Sequence, residues 1–250
     1  MAHTSSAAAE LLRNGIAIVG RGRMGRALAA ALPASGIPVR GPLGRGEPCD
    51  GDAVVLLCVP DREIAAAAAA VPPGRLVGHC SGAATLDSLG AHEAFSMHAL
   101  MTVAAGARAG FLGAGCAIAG STARARDVAR TLATALGMRA VEVADADRAL
   151  YHAAASMASN FLTTLECAAQ DVAAQAGVPR ELLVPLVRAA VENWAIQGAG
   201  ALTGPIARGD ADTVARQRAA VAERAPELLP LWDAFVERTA ALARSRGAAS

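Results

Sequence analysis

The chain has 250 residues, of which 54% are hydrophobic and 3% aromatic, and its formal net charge is +1. This length suffices for one large or two modest domains, and the near-neutral charge gives no reason to expect nucleic acid or an anionic membrane as a partner. All 23 basic residues are arginine, which excludes every mechanism that needs a lysine. Because the five cysteines form no C-x-x-C pair, we expect reduced thiols in a reducing compartment and no metal site. No apolar stretch reads as a membrane span, so we expect a cytoplasmic protein.

The first predicted elements are a loose lead over residues 1–13 and a buried strand over Ile16–Val19. Gly20, Gly22 and Gly25 follow this strand in G-x-G-x-x-G spacing and precede an alanine-rich helix. In such a motif the glycines permit a tight turn, a close approach of the backbone to a pyrophosphate, and close packing of the helix on the strand. We therefore predict a dinucleotide-binding turn that includes the residues between the glycines, Arg21, Arg23 and Met24.

The next segment distinguishes between the two nicotinamide dinucleotides. A short strand is predicted over Ile37–Arg40, and no carboxylate stands at its end, where an NAD-binding protein has one for the ribose 2′-hydroxyl. Arg40, Arg45 and the earlier Arg21 could instead bind a 2′-phosphate, which favours NADP(H). The alternative is that these arginines are solvated surface charges.

Residues 52–60 form the clearest continuous apolar run after the first strand and predict a central parallel strand, with a helix from Pro60 through Ala70. Ligands of such sheets bind beyond the carboxyl ends of the strands, so Cys58, Val59 and Pro60 are expected to face the cofactor. Asp61 is expected to cap the helix, and a role as a ligand is the alternative.

A further strand is predicted to run into a small-residue loop at Leu76–Ala83. Ser81 and Gly82 are expected at the same edge as the glycine turn, near the nicotinamide and the substrate. His79 lies inside the strand and is interpreted as structural. His98 is expected at a strand end or in a loop, either in the active site or as a packing residue.

Strands over Gly115–Gly120 and Arg139–Val143 and a helix over Arg124–Leu136 complete the first predicted domain. After Ala144 the pattern is almost entirely helical. We therefore predict an α/β fold in which residues 1–145 form an N-terminal Rossmann-type domain with a doubly wound parallel sheet. Residues 146–250 form a second, all-helical domain that packs against it.

The long helix predicted over residues 147–176 carries a polar stripe. His152, Ser156 and Asn160 are spaced by four, and Thr163 extends the stripe, which would suit a polar substrate. Hydrogen bonds between helices or to the backbone are the alternative. Tyr151 points elsewhere on a regular helix.

Residues 201–210 are predicted to form a loop that interrupts two helices. Thr203, Arg208 and the loop amides could hold a carboxylate. The alternative is a simple helix stop and restart with Asp210 as N-cap.

Taken together, several segments resemble the Rossmann-like proteins with a DUF2520 C-terminal half, which belong to the 6-phosphogluconate dehydrogenase-like superfamily and include unconventional ketopantoate reductases. These segments are the glycine motif, 57–61, 79–82, 96–98, 151–155, 159–160 and 202–210. The resemblance implies that Asn160 orients the substrate, and Ser156 stands where related reductases carry a lysine. It also implies substrate contacts from Ser81, Gly82 and Thr203, and a homodimer formed through the helical domain.

The expected function is reduction of a small 2-oxo acid by NADPH, with ketopantoate as the first substrate to consider. Asn160 and Ser156 would stabilise the developing oxyanion, and His98 or His152 would donate the proton. An imine reductase of the pyrroline-5-carboxylate type is the second hypothesis. A non-catalytic NADP(H)-binding sensor or scaffold is the third.

Overall fold

The structure of the protein, a computed structural model, describes residues 6–103 and 110–247. The chain divides into two compact units, Met1–Met157 and Ala158–Ser250. The domain boundary expected after residue 145 stays a prediction.

The first unit contains a seven-stranded sheet and five helices among its described residues. In chain order these elements are α1 (Ser6–Arg13), β1 (Ile16–Val19), α2 (Arg23–Ala31), β2 (Val39–Leu43), β3 (Val54–Leu57), α3 (Ile64–Ala69), β4 (Leu76–His79), β5 (Glu93–Leu100), β6 (Gly115–Gly120), α4 (Ala123–Ala135), β7 (Arg139–Glu142) and α5 (Arg148–Ser156). The strands lie in the order β2-β1-β3-β4-β5-β6-β7. The predicted α/β fold with an N-terminal Rossmann-like sheet is confirmed.

The sheet is covered on both faces, which explains the continuous apolar runs of its central strands. Alternate residues of each strand enter different cores: Ile16 and Ile18 pack with α1, α2 and α4, whereas Ala17 packs with α3 on the opposite face. A strand that is buried on both faces needs apolar residues at every position. The central strands therefore lack a polar alternation.

Two details of the first unit differ from the predictions. Residues 6–13 of the expected loose lead form helix α1, because Ala8 and Leu12 are fully buried in the core that contains α4; residues 1–5 lie outside the described part of the chain. The sheet is also not wholly parallel, since β5 and β6 pair antiparallel. Antiparallel neighbours, unlike parallel ones, need no crossover helix between them.

The second unit is helical, as predicted. Its helices are α6 (Leu162–Gln175), α7 (Arg180–Gln197), α8 (Pro205–Arg208), α9 (Ala211–Arg224) and α10 (Leu229–Gly247). The predicted long helix over residues 147–176 is not regular, because a π turn at Met157–Phe161 separates α5 from α6. Among the helices in the described part of the chain, none is long and apolar enough to span a bilayer.

His79, at the end of β4, is completely buried, unlike the other histidines in the described part of the chain. Its Nδ1 accepts a hydrogen bond from the Ser81 amide at 3.2 Å. Burial, assisted by the positive charge of Arg148, lowers the pKa of His79 from 6.5 to about 4. His79 is therefore neutral in the folded protein at pH 7, which fits the structural role expected for it.

We expect His79 to make the protein acid-sensitive. As the pH falls from about 6.5 to 4, the unfolded chain binds a proton on this residue and the folded chain does not, so the free energy of unfolding decreases. The decrease should reach about 2–3 kcal/mol. Urea denaturation at pH 7 and pH 4.5 measures it, and the His79→Asn variant, which keeps an acceptor for the Ser81 amide, should lose that part of the pH dependence. An unchanged dependence in the variant would assign the acid sensitivity to other groups.

Candidate active site

The glycine turn has the geometry that its motif predicts. Gly20 has a φ of 121°, and a Cβ atom there would overlap the carbonyl of Cys58. A Cβ atom at Gly25 would overlap the carbonyl of Gly20, so only glycine lets α2 pack this closely on the turn. The space beside Gly22 is open, with the Cys58 carbonyl oxygen 3.9 Å from the position of a Cβ atom. Gly22 is also the N-cap of α2 and offers no capping side chain, so the helix amides there can receive an anion.

Strand register brings the candidate residues to one edge of the sheet. Val19, Leu57 and His79 are paired across β1, β3 and β4, so Gly20, Cys58 and Cys80 follow at the carboxyl end of each strand. The Sγ atoms of Cys58 and Cys80 are 3.6 Å apart. His79 pairs with Ser96, which places His98 two residues further along β5 at the same edge.

The three arginines expected to bind a 2′-phosphate all have carboxylate partners. Arg40 donates to Asp52 and, at 2.6 Å, to the carbonyl of Pro48, so it holds its own loop together. Arg21 pairs with Glu47, and Arg45 pairs with Glu63 at 2.9 Å. The Arg21 and Arg45 side chains are 57% and 86% exposed, and such exposed pairs exchange partners at little cost.

The loop after β4 is ordered by Ser81. Its Oγ donates to Asp61 at 2.8 Å and accepts hydrogen bonds from the amides of Ala83 and Ala84. The expectation that Asp61 caps the following helix is wrong. Asp61 begins a short 3₁₀ turn, Asp61–Glu63, whose N-cap is Pro60, and Glu63 is the N-cap of α3. The Asp61 carboxylate instead accepts the hydrogen bond from Ser81. The Ser81 hydroxyl therefore shapes the loop that carries Gly82.

Gly82 lies against a cluster of aromatic side chains. A Cβ atom at this position would lie 2.7 Å from Cδ2 of His152 and 3.0 Å from Nε2 of His98. The centroids of the two imidazole rings are 6.0 Å apart, and Nδ1 of His98 is 2.7 Å from the Tyr151 hydroxyl. His98 lies within β5 rather than at its end or in a loop. The structure thus brings together Gly82, His98 and His152, and adds Tyr151, which we had expected to point elsewhere.

Two members of this cluster, His98 and Tyr151, are uncharged at neutral pH. Burial, with smaller contributions from His152 and Arg148, lowers the pKa of His98 to about 4. Burial raises the pKa of Tyr151 to about 12. His98 is therefore a neutral imidazole at pH 7, and the Tyr151 side chain is a phenol.

Arg148, at the start of α5, is a fully buried cation beside the cluster. It donates to Asp145 at 2.8 Å, to the Ser81 carbonyl at 3.5 Å, and to the Ser96 hydroxyl. Sequence reasoning did not single out this residue. The only signal was an Asp three residues before an Arg, which is usually a surface pair.

The remaining predicted residues are distributed between the two units. Ser156 is half-buried at the end of α5 in the first unit. Asn160 lies in the π turn of the second unit, where its Oδ1 accepts from the Ser159 hydroxyl at 2.9 Å. The wider π turn changes the direction of Asn160 relative to a regular helix, so the expected stripe with four-residue spacing is not regular. Thr163 makes the backbone bond that was the alternative for it, to the Ser159 carbonyl.

Thr203 is exposed just before the short helix α8. Asp210 caps α9 by accepting from the Thr213 amide at 3.0 Å, so the helix stop and restart is confirmed. A carboxylate-binding role for the Thr203 hydroxyl and the loop amides stays a prediction.

Solved structures with the same fold exist, whereas no match to the sequence is found among curated proteins. The candidate NADP oxidoreductase BF3122 from Bacteroides fragilis superposes with a TM-score of 0.78, 16% identity, and coverage of 92% of this chain and 99% of that one. Protein TM1727 from Thermotoga maritima has a TM-score of 0.77, 21% identity and the same coverage. A reductive aminase from Aspergillus terreus, in complex with NADPH and ethyl levulinate, has a TM-score of 0.65, 17% identity, and coverage of 93% and 99%.

The sequence also matches a family model over residues 114–239, about half of the chain. The match begins just before β6 and ends within α10, so it includes both α5, which carries Tyr151 and His152, and most of the helical unit. The chain therefore belongs to the family described as domain of unknown function DUF2520.

Proposed function

We propose that the protein is an NADPH-dependent oxidoreductase that reduces the carbonyl group of a small 2-oxo acid, with ketopantoate (2-dehydropantoate) as the first candidate. The observation that carries this proposal is the meeting of two features at one edge of the sheet. The glycine turn is shaped for a pyrophosphate, and the cluster around Gly82 offers neutral proton donors. The structurally similar candidate NADP oxidoreductase and the NADPH-bound reductive aminase support an NADP(H)-dependent reductase.

The residues at this edge fit a dinucleotide. The open space beside Gly22 and the uncapped start of α2 would receive the pyrophosphate. The other residues proposed to line the cofactor are Gly20, Arg21, Arg23, Met24, Gly25, Cys58, Val59, Pro60 and Ser81. Bound NADPH would supply a hydride to the carbonyl carbon of the substrate.

We propose that Arg21 and Arg45 select NADPH over NADH. Both side chains are exposed and follow β1 or β2 at the edge where a ribose 2′-group is recognised. Strand β2 itself contains no carboxylate, and the Glu47 carboxylate that lies beside Gly44, just after β2, is paired with Arg21. Arg40 makes a weaker candidate because Asp52 and Pro48 already use its donors.

Replacing Arg21 and Arg45 together by alanine should raise the Kd of NADPH about tenfold to a hundredfold, because two charge-assisted hydrogen bonds are lost. The Kd of NADH should stay within about twofold, since it lacks the 2′-phosphate. Titration of cofactor fluorescence measures both values. Arg139→Ala, in β7, the strand at the far side of the sheet from β2, is the matched control and should change neither. Equal weakening of both cofactors would contradict the assignment.

In the proposed reaction Asn160 and Ser156 orient the substrate carbonyl, and Thr203 with its neighbouring amides holds the carboxylate.

The second candidate, reduction of an imine such as pyrroline-5-carboxylate, is favoured by the absence of lysine, because a protonated imine needs no acid. A non-catalytic NADP(H)-binding sensor or scaffold would bind the cofactor and reduce nothing.

Oxidation of NADPH, followed by its absorbance, should occur with ketopantoate and be slower with pyrroline-5-carboxylate. The Asn160→Ala variant should lower kcat about tenfold to a hundredfold with little change in the Kd of NADPH, because it removes an interaction with the oxyanion. Faster turnover of the imine would select the second candidate. Tight NADPH binding without turnover of either compound would select the sensor.

We also propose that the protein is a homodimer joined through the helical unit. Among the described residues of this unit, the only buried hydrophobic ones are Val221 and Ala225. Helix α7 exposes large apolar side chains, namely Leu182, Leu186, Val191, Trp194 and Ile196. It carries two arginines and two glutamates, so no net charge opposes contact with a second copy of itself.

Analytical ultracentrifugation should give twice the mass of one chain for the wild type. Leu182→Glu with Leu186→Glu should shift the protein to a monomer, because the two charges would be buried in the interface. Leu112→Glu, at a residue of the first unit that is 86% exposed, is the control and should stay dimeric. A dimer of unchanged affinity in the double variant would show that α7 lies outside the interface.

All five cysteines are free thiols in the structure, including the adjacent Cys58 and Cys80. Neighbouring thiols stay reduced in a reducing compartment. We therefore propose a cytoplasmic location for the protein.

A further inference from the structure

Reduction of a carbonyl group leaves negative charge on its oxygen, which must receive a proton. The chain has no lysine to supply one. The following inference rests on the proposed reductase function and identifies the source of this proton.

The two ring nitrogens of His98 face different neighbours. Nδ1 is 2.7 Å from the Tyr151 hydroxyl, and the His98 and Tyr151 rings are perpendicular to each other. Nε2 faces the loop after β4, where a Cβ atom on Gly82 would come within 3.0 Å of it. The ring is therefore placed between a phenol on one side and the candidate substrate edge on the other.

The charged and titratable groups around this pair come from three places in the fold. Arg148 and His152 lie on α5, Asp61 lies just after β3, and Cys116 lies on β6. Burial is the largest influence on both members of the pair, and it favours the neutral imidazole and the neutral phenol. His98 at pH 7 thus carries one ring proton, and an imidazolium is not available as the donor.

We propose that Tyr151 and His98 form a proton relay to the substrate oxygen. The hydride brings two electrons to the carbonyl carbon, while the Nε2–H bond of His98 breaks and an O–H bond forms on the substrate. The Tyr151 Oη–H bond breaks at the same time, and an Nδ1–H bond forms. A proton from water then binds at Nε2, and the Nδ1 proton returns to the phenolate.

The direction of the relay follows from acidity. A phenol, even with a raised pKa, is more acidic than the alcohol being formed, so transfer towards the substrate oxygen is favourable. Arg148 is a positioning residue in this scheme. It lies three residues before Tyr151, and its buried guanidinium favours the transient phenolate by charge.

The Tyr151→Phe variant, which removes only the hydroxyl, tests the relay. The expected result is a fall in kcat of about a hundredfold with an almost unchanged Kd for NADPH, because acid catalysis is lost and binding is not. His98→Gln should have a similar effect, and the double variant should lose little more, since the two residues act as one unit. His92→Gln, in which a histidine outside the cluster is replaced, is the control and should keep wild-type turnover.

The pH profile separates the relay from an imidazolium donor. With the relay, kcat/KM should be flat from about pH 6 to pH 9, because both groups keep their protons throughout this range. An imidazolium donor with the ordinary histidine pKa of about 6.5 would instead cause a tenfold loss per pH unit above that value. Such a loss, or wild-type turnover in Tyr151→Phe, would overturn the relay.

A readout without turnover keeps the two proposals distinguishable. Nitrogen-15 NMR of the histidine rings should show His98 as the neutral tautomer with the proton on Nε2 and a hydrogen-bonded, unprotonated Nδ1. This signature should change in Tyr151→Phe and persist in His92→Gln. If the proton is on Nδ1 while NADPH is oxidised, the relay fails and the reductase function stands. If the signature is as expected but no substrate is reduced, the reductase function fails instead.

Discussion

The arrangement of the candidate active site depends on one buried cation. Arg148 is fully removed from solvent, and a buried guanidinium is tolerated only when its donors find acceptors. One acceptor, Asp145, is close in the chain. The other two, the Ser81 carbonyl and the Ser96 hydroxyl, come from distant segments. These bonds attach the first turn of α5 to the loop after β4 and to β5. Tyr151 and His152 follow within one turn, so their positions beside His98 are set by the same attachment.

The same cation also contributes to the protonation states of its neighbours. Positive charge beside His79 and His98 adds to the effect of burial and disfavours an imidazolium at either position. A reductase site with an ordinary lysine or imidazolium would add a second buried cation close to the first. The neutral phenol and imidazole avoid that repulsion, which gives a physical reason why this chain can lack lysine at the site.

The parts of the fold that the sequence predicts are those with local causes. The glycine turn was predictable because Gly20 and Gly25 are each required by a backbone contact next to β1. Helix α1 was missed because its polar surface looks like a loose lead, and the burial of Leu12 arises in a core built from distant elements that include α4. Tyr151 was misplaced by the assumption of isolated regular helices, since its partner His98 is 53 positions away. The π turn at Met157–Phe161 has no sequence signal comparable to proline or glycine.

The helical unit shows why composition alone could not locate its core. Alanine and leucine occur on most sides of its helices, and a helix that is apolar on more than one side needs more than one neighbour. In the described part of the chain, large side chains such as Leu186 and Trp194 stay more than 60% exposed. In the homodimer that we propose, burial of these side chains would add hydrophobic free energy to the helical unit only on association. On that proposal the stability of the helical unit depends on protein concentration, whereas the sheet of the first unit carries complete cores on both of its faces.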